Sequence, residues 1–473
     1  MVFSSIVFIS IFFPLVILFN FLINKRLSNY FLLFVSLLFY FYGEPVLIIV
    51  LLISIIWNFI FGYILNYLQS IDETFKKRKI VLFIAIIGNL SALFYYKYFG
   101  LIIKVLGLDI FGFSTYFSNI ILPVGISFYT FHAISYLVDV YRQDVKASKN
   151  IFDIALYISF FPQLIAGPIV KYHDIEKEIK SRTMTLNKTA QGVKRFIKGF
   201  SKKILLANNF ALVADSVFDS NIYDLSSLSV WFGIICYSFQ IYFDFSAYSD
   251  MAIGLAKMMG FHFKENFNYP YKSKSIREFW QRWHISLSTW FKEYVYIPLG
   301  GNRKGMKRTL VNLLIVFILT GFWHGASFNF LIWGLIHGVF IVIEKINLFR
   351  INPKFNFLKH IYVMVVVMIA WVFFRLEDLN LCFIFIKKMF LFDLYGSYYS
   401  FIFLNPYFIL IFIIGLIFSF PISAKISGLA RKYLERKPSV YFFSKDIFYI
   451  LLFVFSLLEL SSLSYNPFIY FRF

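Results

Sequence analysis

The chain has 473 residues, of which 60% are hydrophobic and 15% charged, and its mean hydropathy is +0.72. Soluble domains carry about 25% charged residues, and a water-soluble fold of this size cannot bury so much apolar surface. The composition therefore excludes an ordinary soluble enzyme and predicts a single integral-membrane domain over 1–473. The formal net charge of +21 fits basic loops between membrane spans better than nucleic-acid binding, so nucleic acid is not an expected partner.

Apolar stretches along the chain reach or approach the length of about 20 residues that a membrane-spanning helix needs. Some are short, and 151–170 and 309–323 also fit re-entrant segments, so we expect about ten to twelve true spans. Lipid offers the backbone no hydrogen bonds, which predicts an all-α polytopic fold. The candidate spans are 3–23, 28–43, 46–68, 80–99, 119–141, 151–170, 204–218, 228–256, 309–323, 326–344, 361–376, 401–421 and 447–465.

Basic segments set the expected orientation in the membrane. Four of them, at 76–79, 171–203, 264–308 and 430–437, are rich in Lys and Arg and are predicted to be cytoplasmic. The first apolar stretch precedes the first basic residues, which predicts an uncleaved span with the N-terminus outside. Two cysteines in apolar runs and histidines without metal-binding spacing predict neither a disulfide framework nor a metal site.

Residues 276–297 form the most polar of the aromatic segments. Apolar and aromatic residues recur there at three- and four-residue steps, with charged residues between them, which predicts one amphipathic helix at the cytoplasmic interface. Pro298 and the Gly300-Gly301 pair end it in a turn. On this helix His284 falls on the apolar side or along its edge, which an interfacial role alone does not explain.

Two other segments place polar residues at membrane depth. His324 lies between two apolar runs in LTGFWHGASFNFLIWGLIHG, near small residues that let helices approach closely. It is either a general base in a polar cavity or a neutral histidine that joins two helices. Asp250 belongs to a second polar group in QIYFDFSAYSDMAIG, where cavity lining and helix packing both fit. A membrane enzyme and a transporter both remain open at this point.

Five segments in one order, between about 122 and 338, resemble the membrane-bound O-acyltransferase superfamily and, within it, the branch of bacterial alginate O-acetylases. The resemblance is specific to these motifs and assigns a motif-bearing core to about 122–345, with peripheral spans in 1–120 and 346–473. The segments are LPVGISFYTFHAISYLVDVYR, FFPQLIAGPIVKY, FDFSAYSDMAIGLAKMMGF with NFNYPY, FWQRWHISLSTWFKEYVYIPLGGNR and TGFWHGASFNFLIWGLIHG.

The resemblance implies a site as well as a fold. It places spans, re-entrant segments and interfacial helices around a central funnel, with the acyl donor entering from the cytoplasm and the acceptor from outside. It makes His324 the catalytic residue and His284 a second functional residue. We further expect donor or substrate contacts from nearby motif residues, namely Arg282, Asn302, Arg303, Trp323 and Asp250.

The predicted function is therefore O-acyl transfer in the bacterial inner membrane. Acetyl would move from cytoplasmic acetyl-CoA, a substrate and not a bound cofactor, toward hydroxyls of a periplasmic or cell-surface polysaccharide such as an alginate-like polymer or peptidoglycan. Expected partners are membrane lipid and a periplasmic or membrane-anchored acetyltransferase protein. Two alternatives remain: D-alanyl transfer from a carrier protein, and a non-enzymatic transporter of glycans or acyl groups.

Overall fold

A computed structural model gives the fold of the chain. It describes residues 3–71, 75–106, 121–348, 355–396, 399–422, 426, 428, 438–462, 465–467 and 469. These residues form helices and loops and no β-strand, so the predicted all-α class is confirmed. The predicted basic loop at 430–437 lies outside the described residues, as does the start of the candidate span 119–141.

Six helices in the described ranges have the length and apolar character needed to cross a membrane, and three shorter helices are also apolar. This confirms a multi-pass membrane protein. The six are Ile48–Ser70, Phe75–Lys97, Ser227–Met258, Gly305–His324, Phe328–Lys345 and Asn356–Arg375, and the shorter ones are Phe8–Leu22, Ser28–Gly43 and Pro406–Ser419.

The chain divides into two compact units, and the first consists of Met1–Phe196 with Met251–Lys264. Two helices, Leu186–Ser201 and Ser227–Met258, continue across the division. The other α-helices of unit 1 are Phe13–Leu22, Ser28–Gly43, Ile48–Ser70, Phe75–Lys97, Phe99–Val105, Ile126–Arg142, Ile151–Ser159, Phe161–Leu164 and Tyr172–Lys180, and a π-helix covers Phe8–Phe12.

Close helix contacts and buried amides hold unit 1 together. Every residue of the Ile126–Arg142 helix is buried up to Val140, and Gly62 of a neighbouring helix leaves room for the Tyr136 ring. The side chains of Asn58 and Asn89 exchange two hydrogen bonds of 2.9 Å between the helices Ile48–Ser70 and Phe75–Lys97. Polar side chains join membrane helices in this way because lipid offers them no other partner.

The two candidate re-entrant segments differ in structure. Residues 151–170 contain the short helices Ile151–Ser159 and Phe161–Leu164, and the backbone then leaves the helical conformation before Gly167 and Pro168. Because residues 154–170 are all buried, this broken backbone is covered by protein, as a non-helical segment at membrane depth must be. The segment 309–323, by contrast, belongs to the continuous 20-residue helix Gly305–His324.

Unit 2 consists of Ile197–Asp250 and Glu265–Phe473. Besides its part of the helices shared with unit 1, it contains the α-helices Asn208–Phe218, Ile276–Arg282, Ile285–Phe291, Gly305–His324, Phe328–Lys345, Asn356–Arg375, Leu379–Phe390, Pro406–Ser419 and Pro438–Ser462. It also contains π-helices at Lys202–Ala207 and Lys292–Tyr296 and short 3-10 turns at Ile222–Asp224, Pro270–Lys272 and Tyr399–Phe403.

Two glycines bring the helices Gly305–His324 and Phe328–Lys345 into backbone contact. A Cβ atom on Gly321 would lie 2.3 Å from the carbonyl oxygen of Phe330, and one on Gly334 would lie 2.3 Å from that of Phe317. No other residue type fits at these separations. The close approach predicted for the small residues around His324 is therefore present, and it fixes the helix that ends in this histidine.

A buried ion pair binds the C-terminal residues Pro467 and Ile469 to the rest of unit 2. Nζ of Lys203 lies 2.8 Å from Oδ1 of Asp244, with 3% and 1% of the two side chains exposed. The same two side chains bind the C-terminal segment, because Lys203 donates to the Pro467 carbonyl and the Ile469 amide donates to Oδ2 of Asp244 at 3.0 Å. Ile469 is itself part of the hydrophobic core.

Candidate active site

His324 is surrounded by aromatic rings at the C-terminal end of its helix. Gly325, with φ of −167°, leaves the helical conformation directly after it. The centroid of the His324 ring lies 4.7 Å from that of Trp323, 4.9 Å from that of Trp333 and 5.1 Å from that of Phe374. All three contacts are edge-to-face, and 7% of the residue is exposed. The rings fix the orientation of the imidazole.

The structure brings His284 to the same aromatic group. Its ring centroid lies 6.3 Å from that of Trp323, so Trp323 contacts both motif histidines. The residue is 3% exposed and also faces the ring of Phe267 at 6.2 Å. Two histidines that lie far apart in sequence therefore share one buried site in unit 2.

The backbone at His284 differs from the predicted continuous helix over 276–297. His284 has φ of 42° and separates the helices Ile276–Arg282 and Ile285–Phe291. The reason is Asn266: its backbone carbonyl accepts from the Ile285 amide at 2.9 Å, and its side-chain oxygen accepts from the Ser286 amide at 3.0 Å. Two amides that a continuous helix would use are bound elsewhere, and the chain turns at the histidine.

Burial makes His284 a neutral side chain. Removal from solvent lowers its pKa from the ordinary 6.5 to about 3, because an apolar surrounding disfavours the charged imidazolium. Nδ1 lies 3.4 Å from Oγ of Ser286. A neutral imidazole has one donor and one acceptor nitrogen, so His284 can orient a polar group or donate one hydrogen bond without carrying charge.

A chain of polar contacts runs from His284 to Ser249. Oγ of Ser286 donates to Oδ1 of Asn266 at 2.9 Å, and the Asn266 amide group donates to Oγ of Ser249 at 3.1 Å. The next residue, Asp250, lies 2.8 Å from Nζ of Lys202. Lys202 begins a π-helix, a local irregularity that is frequent at functional sites.

Asn266 is predicted to position His284 for activity. Replacing Asn266 with Ala removes the acceptor of Ser286 and frees the turn, and a misplacement of about 1 Å in an active site costs up to about 10²-fold in rate. We expect Asn266→Ala to lower the acyl-transfer rate by about 10-fold to 10²-fold with little change in the amount of protein. The measurement is initial rate against substrate concentration in membranes.

The matched control is Asn268→Ala. Asn268 is exposed and is held through its backbone, whose amide donates to the Arg282 carbonyl at 2.9 Å. The acyl-transfer rate of Asn268→Ala is expected to stay near that of the unchanged protein. Equal losses in the two variants would mean that the loop, and not the side chain of Asn266, matters.

The predicted donor-binding residues occupy different places. The Arg282 guanidinium is bound within its own helix to Oε1 of Glu278 at 2.9 Å. Asn302 accepts a hydrogen bond from the Tyr296 hydroxyl, and Arg303 is exposed in the same turn. A 20-residue helix separates this turn from His324, which is about 30 Å at the rise of an α-helix. Trp323 contacts both histidines, Arg282 is two residues from His284, Asp250 follows Ser249 and pairs with Lys202, and Asn302 and Arg303 lie away from His324.

Several site residues were not identified from the sequence. Trp333 and Phe374 complete the ring contacts of His324, and Lys202 pairs with Asp250. His337 also contacts Trp333, with ring centroids 5.1 Å apart, and neither of its ring nitrogens is hydrogen-bonded to a described residue. Trp333 and His337 fall inside the motif TGFWHGASFNFLIWGLIHG, so their membership of this motif could have identified them from the sequence.

Access to His324 through the predicted funnel stays a prediction. Two cavities of about 340 and 360 Å³ occur in unit 2. Both are lined by residues other than the two histidines, and the first is lined in part by His360. The exposed 7% of His324 is the surface at which a reactant would meet it.

Comparison with known proteins gives the family of the chain. The model of the membrane-bound O-acyltransferase family matches residues 127–386. The chain is 37% identical to a probable alginate O-acetylase AlgI of Pseudomonas putida over 100% of both chains. It is 35% identical to a peptidoglycan O-acetyltransferase of Helicobacter pylori, over 80% of this chain and 78% of that one. A teichoic acid D-alanyltransferase of Streptococcus thermophilus is 31% identical over 47% of this chain and 56% of its own. The chain belongs to the membrane-bound O-acyltransferase family.

Proposed function

We propose that this protein is an inner-membrane O-acetyltransferase that moves acetyl from cytoplasmic acetyl-CoA toward hydroxyls of a periplasmic or cell-surface polysaccharide. The observation that carries the proposal is the shared aromatic site of His284, Trp323 and His324. Full-length similarity to a probable alginate O-acetylase and the match to a peptidoglycan O-acetyltransferase support acetyl as the group and a polysaccharide as the acceptor class.

The chemistry requires a base at the acceptor hydroxyl. The hydroxyl oxygen attacks the thioester carbonyl carbon while His324 takes the hydroxyl proton. The carbon–sulfur bond then breaks, and the coenzyme A sulfur leaves with the electron pair and takes up a proton. A positioned base of this kind contributes about 10²–10⁴-fold in rate. The three rings around His324 hold it in one orientation, as a base must be held relative to its substrate.

His284, which also contacts Trp323, would stabilise the negative charge that forms in the same step. A neutral imidazole donates one hydrogen bond to the oxyanion that forms at the carbonyl or to the departing sulfur. Its lowered pKa keeps it neutral near pH 7, so this stabilisation is a dipole contact and not a charge contact. Trp323 contacts both imidazoles, and the acetyl group would bind against it.

Cationic residues at the rim of the site would bind the donor. Lys198 and Lys202, whose Nζ atoms lie 3.9 and 2.8 Å from Oδ2 of Asp250, place two positive charges beside the residue that follows Ser249. Arg282 is two residues from His284, and its guanidinium suits a phosphate of coenzyme A. Asn302 and Arg303 would meet the donor only at the membrane surface, at the far end of the Gly305–His324 helix.

The polysaccharide acceptor lies across the membrane from acetyl-CoA. We propose that acetyl leaves the site on the periplasmic side, with the N-terminus also outside, and reaches the polymer through a periplasmic or membrane-anchored acetyltransferase partner. The predicted basic cytoplasmic segments support this orientation.

D-alanyl transfer is the weaker alternative. The D-alanyltransferase match covers about half of each chain, whereas the O-acetylase match covers both chains fully. Membership of an acyltransferase family leaves the transporter alternative without support.

The donor is tested with purified protein in proteoliposomes. We expect protein-dependent release of free coenzyme A from acetyl-CoA in the presence of a hydroxyl acceptor, and no turnover of a D-alanyl carrier protein. Mass spectrometry of surface polysaccharides from a deletion strain should show lost O-acetyl esters and unchanged D-alanyl esters. Lost D-alanyl esters with intact O-acetylation would reverse the assignment of the donor.

A further inference from the structure

One of the two cavities in unit 2 has the character of a ligand site. A cavity of about 340 Å³ is enclosed by the helices Ser227–Met258, Asn356–Arg375 and Pro406–Ser419. Its volume falls at the lower end of the roughly 300–1,000 Å³ of small-molecule sites. None of its lining residues belongs to the catalytic arrangement described above, so it needs a separate explanation.

Two of the lining residues, Ser419 and His360, carry buried polar atoms without a hydrogen-bond partner among the described residues. Ser419, the last residue of its helix, is 0% exposed, and its Oγ has no hydrogen-bond partner among the described residues. Nδ1 of His360, in the second turn of the Asn356–Arg375 helix, is likewise buried with no partner in the described part of the chain. Buried polar groups are usually satisfied, so these two indicate a ligand with an oxygen.

Most of the other lining residues are apolar. Met364 and Met368 follow His360 at successive helical turns and line the cavity with it. Eight residues of helix span about 12 Å, so the lining on this helix runs this far from His360. Methionine side chains adapt to flexible apolar partners, which suits a hydrocarbon chain.

The cavity opens on an exposed apolar surface of the helix Pro406–Ser419. Leu416 lines it and is 40% exposed, and Leu410 and Ile413 on the same helix are 54% and 49% exposed. Such a row of exposed aliphatic side chains on an apolar helix faces the bilayer. Lys359 precedes His360 in sequence, so it carries a positive charge within one residue of the cavity lining.

We propose that this cavity holds one acyl chain of a membrane phospholipid. The chain lies along Met364 and Met368, an ester carbonyl accepts the hydroxyl hydrogen of Ser419, and the phosphate lies toward Lys359. The chemistry of the occupant follows from the cavity itself: an apolar chain about 12 Å long or more, an oxygen acceptor for Ser419, and an anion for Lys359.

Native mass spectrometry of the detergent-purified protein tests the proposal. The unchanged protein should retain one phospholipid, and Met364→Trp with Met368→Trp should lower its occupancy at least 10-fold by filling the cavity. Ile361→Trp is the matched control, because Ile361 is on the same helix but 53% exposed. It should retain the lipid as the unchanged protein does.

A second measurement does not depend on the double variant being stable. A phospholipid with a photoreactive acyl chain should crosslink the unchanged protein at the helices Asn356–Arg375 and Pro406–Ser419, and Ser419→Ala should reduce this labelling several-fold. Retention of an isoprenoid lipid or only of detergent, unchanged occupancy in the double variant, or labelling elsewhere with these helices unlabelled would each overturn the proposal.

Discussion

Replacing His324 with alanine is expected to lower the acyl-transfer rate by about 10²–10⁴-fold while the protein stays in the membrane. The loss follows from removing the only proposed base in a site whose other walls are Trp323, Trp333 and Phe374. Because substrate binding does not require the imidazole, kcat should fall far more than KM changes. The rate of coenzyme A release from acetyl-CoA in proteoliposomes measures both parameters.

His262→Ala is the matched control for this variant. His262 is exposed and is bound through its backbone amide to Glu178, so its ring has no assigned role. We expect it to keep the rate of the unchanged protein. Normal turnover in His324→Ala, with equal amounts of folded protein, would remove His324 from the mechanism.

Replacing Lys203 with methionine is expected to destabilise the fold by about 3–5 kcal/mol, because the carboxylate of Asp244 is left charged and buried without its partner. The pair is 2.8 Å apart with both side chains almost fully enclosed. Adding Asp244→Asn should restore part of the loss, since the amide is neutral and its oxygen still accepts from Ile469. The free energy of unfolding in detergent micelles measures the effect.

Lys198→Met provides the comparison. Lys198 is 40% exposed and lies 3.9 Å from Asp250, a geometry that contributes about 0–1 kcal/mol. The two methionine variants remove the same charge from neighbouring helical turns, but Lys198 is more exposed and farther from its aspartate, and Asp250 keeps Lys202 as a partner. Equal stability of the two would show that the Lys203–Asp244 pair contributes no more than an exposed one.

Much of the fold follows from sequence because it rests on local composition. Apolar length predicts the helices, and the small residues near His324 predict the contact that Gly321 and Gly334 make. The pairing of His284 with His324 was expected only through the family resemblance. Spacing alone does not bring together two residues on different elements.

Two features were missed because they depend on distant partners. The break at His284 arises from Asn266, whose hydrogen bonds cannot be read from the periodicity of 276–297. Lys202 and Lys203 were counted as part of a basic cytoplasmic segment, yet the side chains are only 14% and 3% exposed. A count of charges does not tell which lysine faces inward, although two aspartates within a span do require counter-ions.

The order of these ion pairs along the chain has a consequence for biosynthesis. An aspartate near the middle of a membrane helix costs about 2.5–3.5 kcal/mol on insertion, and the helix Ser227–Met258 carries both Asp244 and Asp250. Lys202 and Lys203, which pair with these aspartates, precede them in the chain and are synthesised first. The counter-ions are therefore already made when the helix Ser227–Met258 inserts. The Ile469 amide is synthesised after the helix Pro438–Ser462, so a nascent chain completes the contacts of Asp244 only once that helix has been made.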